Sequence, residues 1–275
     1  MSTAGCPLDA AWLRLVSRLL GLTALIALLV CSLTAPAAQA VSELASLHAS
    51  FSPNRLGAPT TITFGFHLQT VEGQAPPPLT ALDLRMPAGM NYTTTTLGLS
   101  ICEPASLLAK GLAGCPPNSR LGYGSALVEV PFGVGAGHEI PEVQAVAGPS
   151  RAGNLVVLFY ANGLFPVSAQ LTFAGEVLPD SGAFGSQLQA NVPLVASVPG
   201  GPDVSIVSVQ STIGPAHLTY YKHVRGRRVA FHPRGVAVPE RCPHGGFPFA
   251  ASFAFQDGSE TTASTSVPCP ARLRR

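Results

Sequence analysis

Few residues in this chain have the type and spacing to do chemistry. Beyond position 40 the cysteines form an even set, Cys102, Cys115, Cys242 and Cys269. Four thiols allow three disulfide pairings. Two local bridges, Cys102–Cys115 and Cys242–Cys269, are the simplest, since each encloses a segment with its own turn logic. Zinc is the rival chemistry, with His244 two residues after Cys242 and His232 upstream. An oxidising compartment favours disulfides over thiolate ligands, so no metal is expected. A serine hydrolase would require G-x-S-x-G at a strand-to-helix elbow, and no such pentapeptide occurs. Ser125, after Gly122-Tyr123-Gly124, is the nearest imitation and opens a strand at Ala126-Leu127-Val128. Glu129, Glu139, Glu142 and Glu176 could furnish two facing carboxylates for glycoside hydrolysis. Against this, aromatic residues are sparse and the sole tryptophan is Trp12. His138-Glu139 with Glu142 does not match H-E-x-x-H, and the preceding Gly133–Gly137 reads as a flexible loop. The aspartates are too scattered for a calcium loop. No catalytic residue and no cofactor are therefore expected.

The first forty residues set the compartment. Arg14 and Arg18 precede an apolar run from Leu19 to Leu33, and Ala38-Gln39-Ala40 is a small-x-small cleavage site. This is the pattern of a secretory signal cleaved near Ala40. The run of about 15 residues is shorter than the roughly 20 required to cross a bilayer, so no transmembrane segment is expected in the mature chain. Removing Arg14, Arg18 and Asp9 takes the formal charge from +2 to +1. Such a balance offers no broad field for nucleic acid. The expected localisation is secreted, extracellular or at the cell surface.

The elements that must carry these residues read as strands. Only 11% of residues are charged, and 28 glycines with 26 prolines imply frequent turns and few long helices. Ile62, Phe64, Phe66 and Leu68 alternate with Thr61, Thr63, Gly65 and His67, the period of a strand with one buried face. On that polar face His67 reads as a solvated side chain. Leu82, Leu84 and Met86 repeat the alternation, as do Leu171, Phe173 and Val177, and Val204 to Ile213 is a β-branched run. Asn154 to Tyr160 is apolar on both parities and predicts a strand covered on both faces. Phe247, Phe249, Ala251, Phe253 and Phe255 share one face of a hairpin that turns at Asp257-Gly258 and returns over Thr261–Val267. A two-residue turn sets Cys269 opposite Gly246, so the bridge to Cys242 would lock the open end. Glu103 to Lys110, with Pro104 early and Gly111 after, predicts one short helix.

A second hairpin is expected where His217–His223 and Arg228–His232 flank Val224-Arg225-Gly226-Arg227. It gathers Tyr220, Tyr221, Lys222, Arg225, Arg227 and Arg228, the candidate surface-binding residues. The loops at Leu121–Tyr123 and His244–Phe249 are further contact candidates. Asn91-Tyr92-Thr93 is a formal glycosylation acceptor that reads better as polar strand.

Met86-Pro87-Ala88-Gly89, Cys115-Pro116-Pro117-Asn118-Ser119-Arg120-Leu121-Gly122, Cys242-Pro243-His244-Gly245-Gly246-Phe247-Pro248-Phe249 and Val267-Pro268-Cys269-Pro270 together resemble a group of uncharacterised exported β-rich proteins of GC-rich Gram-positive bacteria. The resemblance implies export and β architecture and carries no catalytic residue over. The expected fold is all-β: one or two Greek-key or jelly-roll-like β-sandwiches with one short helix and a disulfide-locked hairpin. The expected division is a signal peptide over 1–40, an N-terminal subdomain over 41–148 and a C-terminal subdomain over 149–275. The expected function is a non-catalytic, cell-envelope-associated or extracellular binding or structural module. Its partner would be envelope polysaccharide or another surface protein. The alternative is a secreted hydrolase of envelope carbohydrate or ester.

Overall fold

The computed structural model describes residues 44–270 except 71, 73, 93–95, 133–134 and 167. The signal segment therefore lies outside the described residues. Strand alternation generates the architecture. In β2 (Pro59–Gln69), Ile62, Phe64, Phe66 and Leu68 are buried while His67 is exposed. β1 (Leu44–Ser52) pairs with one edge of β2 and turns Leu47 and Phe51 to the same interior. The remaining strands are β3 (Leu79–Pro87), β4 (Arg120–Phe132), β5 (Gly135–Glu139), β6 (Glu142–Arg151), β7 (Asn154–Gly163), β8 (Ala169–Pro179), β9 (Phe184–Asn191) and β10 (Ser205–Ile213). After these come β11 (Tyr220–Val224), β12 (Arg227–Phe231), β13 (Val236–Ala237), β14 (Phe247–Phe255) and β15 (Glu260–Val267).

One antiparallel sheet runs β1-β2-β10-β4-β6-β7-β8-β9-β3-β14-β15, with β5 on β4 and β13 on β2. Its ends come together, because β15 lies against β1, and Asn54 Nδ2 donates to the Pro268 carbonyl at 2.8 Å. The sheet is thus nearly barrel-like, and its opposite walls pack as the layers of a sandwich do. Phe66 of β2 meets Phe253 of β14 across the interior at 4.9 Å between ring centres. The division considered at residue 148 falls in the β6–β7 hairpin, whose tip places Ala152 and Gly153 at positive φ. Strands from both sides of it alternate within the one sheet, with β10 between β2 and β4 and β3 between β9 and β14. The described residues fold as one unit.

β7 is covered on both faces, as its double-parity apolar run predicts. Val157 joins the interior core and Phe159 packs against it. Val156, Leu158 and Tyr160 turn outward into a second cluster with Val146, Cys102 and Leu107. Leu107 belongs to α1 (Pro104–Lys110), a single short helix that begins behind Glu103 with proline in its first turn. Cys102–Cys115 ties the two ends of this covering segment together. No helix among the described residues is long and apolar enough to cross a membrane.

The C-terminal hairpin forms with one register correction. Phe247 pairs with Val267, which sets Cys269 opposite Gly245 and not Gly246. The Gly258 N–H donates to the Phe255 carbonyl and the Phe255 N–H to that of Ser259. With Gly258 at φ +85°, this is a turn followed by a left-handed residue, longer than a two-residue connection. The Cys242–Cys269 bridge closes the open end all the same.

Candidate functional site

Strand polarity brings a defined set of segments to one end of the barrel. β4, β7 and β9 run toward it, and β6, β8 and β10 leave it, as the antiparallel ladders require. Inside that end the sheet encloses a cavity of about 170 Å³. Small residues on facing strands create it: Ala126 of β4, Ala161 and Gly163 of β7, Ala169 of β8 and Ala190 of β9. Phe64, Phe66, Phe159 and Phe173 form the ring-lined floor and sides, and Phe159 stacks on Phe173 at 5.1 Å. A second hollow of about 110 Å³ lies deeper, among Leu84, Met86, Tyr92 and Leu121. Phe64, Phe159 and Leu188 line both chambers and separate them. An apolar cavity of about 150 Å³ stays dry and accepts a benzene-sized molecule.

Leu194 both lines the larger chamber and is 42% exposed, so the chamber reaches the surface beside the β9–β10 connection. The rim there is unusually apolar. Ile140, Leu164, Phe165 and Val198 are 70%, 75%, 82% and 51% exposed. Residues 127–143, 161–170 and 189–208 contain no lysine or arginine, only the acidic Glu129, Glu139, Glu142 and Asp203. Among the described residues, Glu139 is the one charged side chain that lines the cavity. It is buried, and its Oε1 accepts a hydrogen bond from the Phe165 N–H at 3.1 Å. Gly163 makes room for it, since a Cβ there would stand 2.6 Å from that oxygen.

The remaining candidate residues are dispersed. Glu129 faces outward near His138, at 3.7 Å, while its neighbour on the ladder, Glu139, faces the cavity. Glu176 is held by Asn154 at 2.7 Å and approached by Arg151 at 3.9 Å. Glu129, Glu139 and Glu176 thus have different partners, Glu142 is exposed, and Glu129 and Glu139 lie on opposite faces of their strand pair. Of the Gly133–Gly137 segment, expected as flexible loop, Gly135, Ala136 and Gly137 belong to strand β5 and pair with β4, while 133–134 lie outside the described residues. Ser125 lies within β4. Cys242 is bonded to Cys269 and is no free thiolate for zinc, and no group of three metal-ligating side chains occurs among the described residues.

The basic hairpin exists as the separate two-stranded sheet β11–β12 and turns at Arg225 and Gly226, both at positive φ. Tyr220, expected at the surface, is fully buried. Its hydroxyl accepts from the Gly98 N–H and donates to the Arg120 carbonyl, and its ring meets Phe231 edge-on. Asn118 exchanges two hydrogen bonds with the Tyr221 backbone, which fixes the hairpin at the end opposite the cavity rim. Lys222, Arg225, Arg227 and Arg228 remain exposed, with Arg228 3.6 Å above the Tyr221 ring. Leu121–Tyr123 is strand rather than loop, and Leu121 is buried. Beside the Cys242–Cys269 bridge, a shallow depression of about 560 Å³ is walled mostly by proline, glycine and backbone, with Arg241 and His244.

No family model matches this chain, and neither the curated proteins nor the solved structures give a match. The functional reading therefore rests on the cavity and its rim. Phe247, Phe253 and Phe255 of β14 line neither chamber, and Phe249 borders only the inner one. The usable signal was the run of alanine and glycine at inward positions of β4, β7, β8 and β9, legible only once strand neighbours were known.

Proposed function

We infer that this protein is an exported, non-catalytic binding protein that carries a small apolar ligand inside its barrel. The observation behind this reading is the cavity of about 170 Å³, walled by alanine, leucine and phenylalanine and open beside Leu194. Apolar pockets with few convergent polar groups are the usual form of ligand site. Two disulfides suit an oxidising compartment outside the cytoplasm. At the far end, exposed Arg225, Arg227 and Arg228 offer contacts to an anionic envelope polymer, which would hold the carrier at the cell surface.

The test is titration of the purified, oxidised protein with a neutral naphthylamine fluorophore. Saturable binding near one per chain, lost in Ala161→Phe at unchanged thermal stability, is the expected result. Absence of saturation, or binding unaffected by that substitution, would overturn the carrier reading. Release of sugar fragments from envelope polysaccharide would revive the hydrolase.

A further inference from the structure

We propose that the cavity selects a slender apolar chain whose terminal group is a hydrogen-bond donor, a hydroxyl or an ammonium, and that Glu139 receives that group. The proposal rests on the carrier reading and adds the ligand's polar end and the residue that chooses it.

The chamber offers a ligand almost nothing polar. Among the described residues, Glu139 and Ser211 are the only lining residues with polar side chains, and Glu139 alone is charged. A carboxylate can only accept, and it strongly favours a donor partner over a second carboxylate. Its position is built, since the Phe165 N–H binds one oxygen and Gly163 removes the side chain that would displace it. Glu139 lies at the end of the barrel where the chamber reaches solvent, so a head group held there would sit near the opening. The absence of lysine and arginine from the three rim segments removes the counter-charge that a fatty carboxylate or a phosphate head would require.

Chain dimensions follow from the walls. The outer chamber is close in volume to one that takes a six-carbon ring. A longer chain must pass between Phe64, Phe159 and Leu188 to reach the inner hollow of about 110 Å³. Affinity should therefore rise about fourfold per added methylene while the outer chamber fills. It should then level off where the Phe159 ring blocks further entry.

The experiment compares n-hexanol, n-hexylamine and hexanoate by calorimetry at neutral pH, with the intact oxidised protein and with Glu139→Gln. The amide keeps an oxygen to accept the Phe165 N–H, so that contact is preserved while the charge is removed. The expected result is hexanol and hexylamine binding at least about tenfold more tightly than hexanoate. In Glu139→Gln the hexylamine advantage should shrink by about tenfold, with hexanol little changed. Equal binding of all three, or a ranking untouched by Glu139→Gln, would overturn the head-group assignment while leaving the carrier intact. Failure of all three, and of the naphthylamine probe, to bind would overturn both.

Discussion

Two walls of the same interior solve opposite packing problems. Along β14, Phe247, Phe249, Phe253 and Phe255 are each at most 3% exposed, and the first three meet rings from β1 and β2: Phe51 lies 5.5 Å from Phe247 and 5.9 Å from Phe249, and Phe66 lies 4.9 Å from Phe253. Along β4, β7, β8 and β9 the corresponding inward positions are Ala126, Ala161, Ala169 and Ala190, and the space stays open. Native interiors are close-packed, so a hollow kept by several small residues costs dispersion contacts that a plain structural core would not give up. The contrast separates the part of the sheet that holds the fold from the part available to a ligand.

Breaking the filled wall should have the largest effect. Phe253→Ala should destabilise by about 3–5 kcal/mol through lost transfer energy plus a cavity, read from the shift of the urea midpoint. A loss below about 1 kcal/mol would mean that the filled wall does not hold the fold. The staple on the same hairpin comes next. Cys242→Ser with Cys269→Ser should cost about 3 kcal/mol, also measured by urea unfolding, and leave probe binding at the opposite end intact.

Alkaline titration probes the inner chamber. Burial pushes the Tyr92 hydroxyl up to about 12, with the Ser186 hydrogen bond opposing in part. The unfolded chain ionises from its ordinary value of 10.0, so the folded form is favoured below that pH and loses this contribution as pH rises from 10 to about 12. The loss should be roughly 2–3 kcal/mol, visible as a falling unfolding midpoint that flattens in Tyr92→Phe. A phenolate absorbance step near 10 in the folded protein that disappears in Tyr92→Phe would contradict it.

The smallest effects sharpen the contrast most directly. Ala251, 1% exposed on β14, has no room, and Ala251→Leu should cost about 1–3 kcal/mol by overpacking. The same change at Ala161 has the chamber to enter and should stay within about 1 kcal/mol of the parent while reducing probe binding. Equal penalties at both positions would show that the walls do not differ.

Much of this was legible in the sequence. Alternation located β2, β3, β8 and β14, the β-branched run Val204–Ile213 located β10, the Asp257-Gly258 turn implied β15, the double parity of Asn154–Tyr160 announced the covered strand β7, and Pro104 to Gly111 marked the helix. Each of these is local, because side-chain direction follows from the strand or helix period alone. The order of strands was not legible, since β10 sits between β2 and β4 by contacts between residues more than 70 positions apart in sequence. The cavity went unseen for the same reason. Ala126, Ala161 and Ala190 are unremarkable singly and form a hollow only when three strands bring them to one level. Tyr220 was misplaced because a tyrosine beside lysine and arginine reads as surface, whereas its hydroxyl is held by the backbone of Gly98 and Arg120.

The most direct test of the two-wall account is a methyl-resolved NMR titration of the alanine-labelled, oxidised protein with n-hexanol. The account predicts saturable shifts at Ala126, Ala161 and Ala190 with one shared dissociation constant, and none at Ala251 or Ala263. Shifts that never saturate, or that appear equally at Ala251, would contradict it.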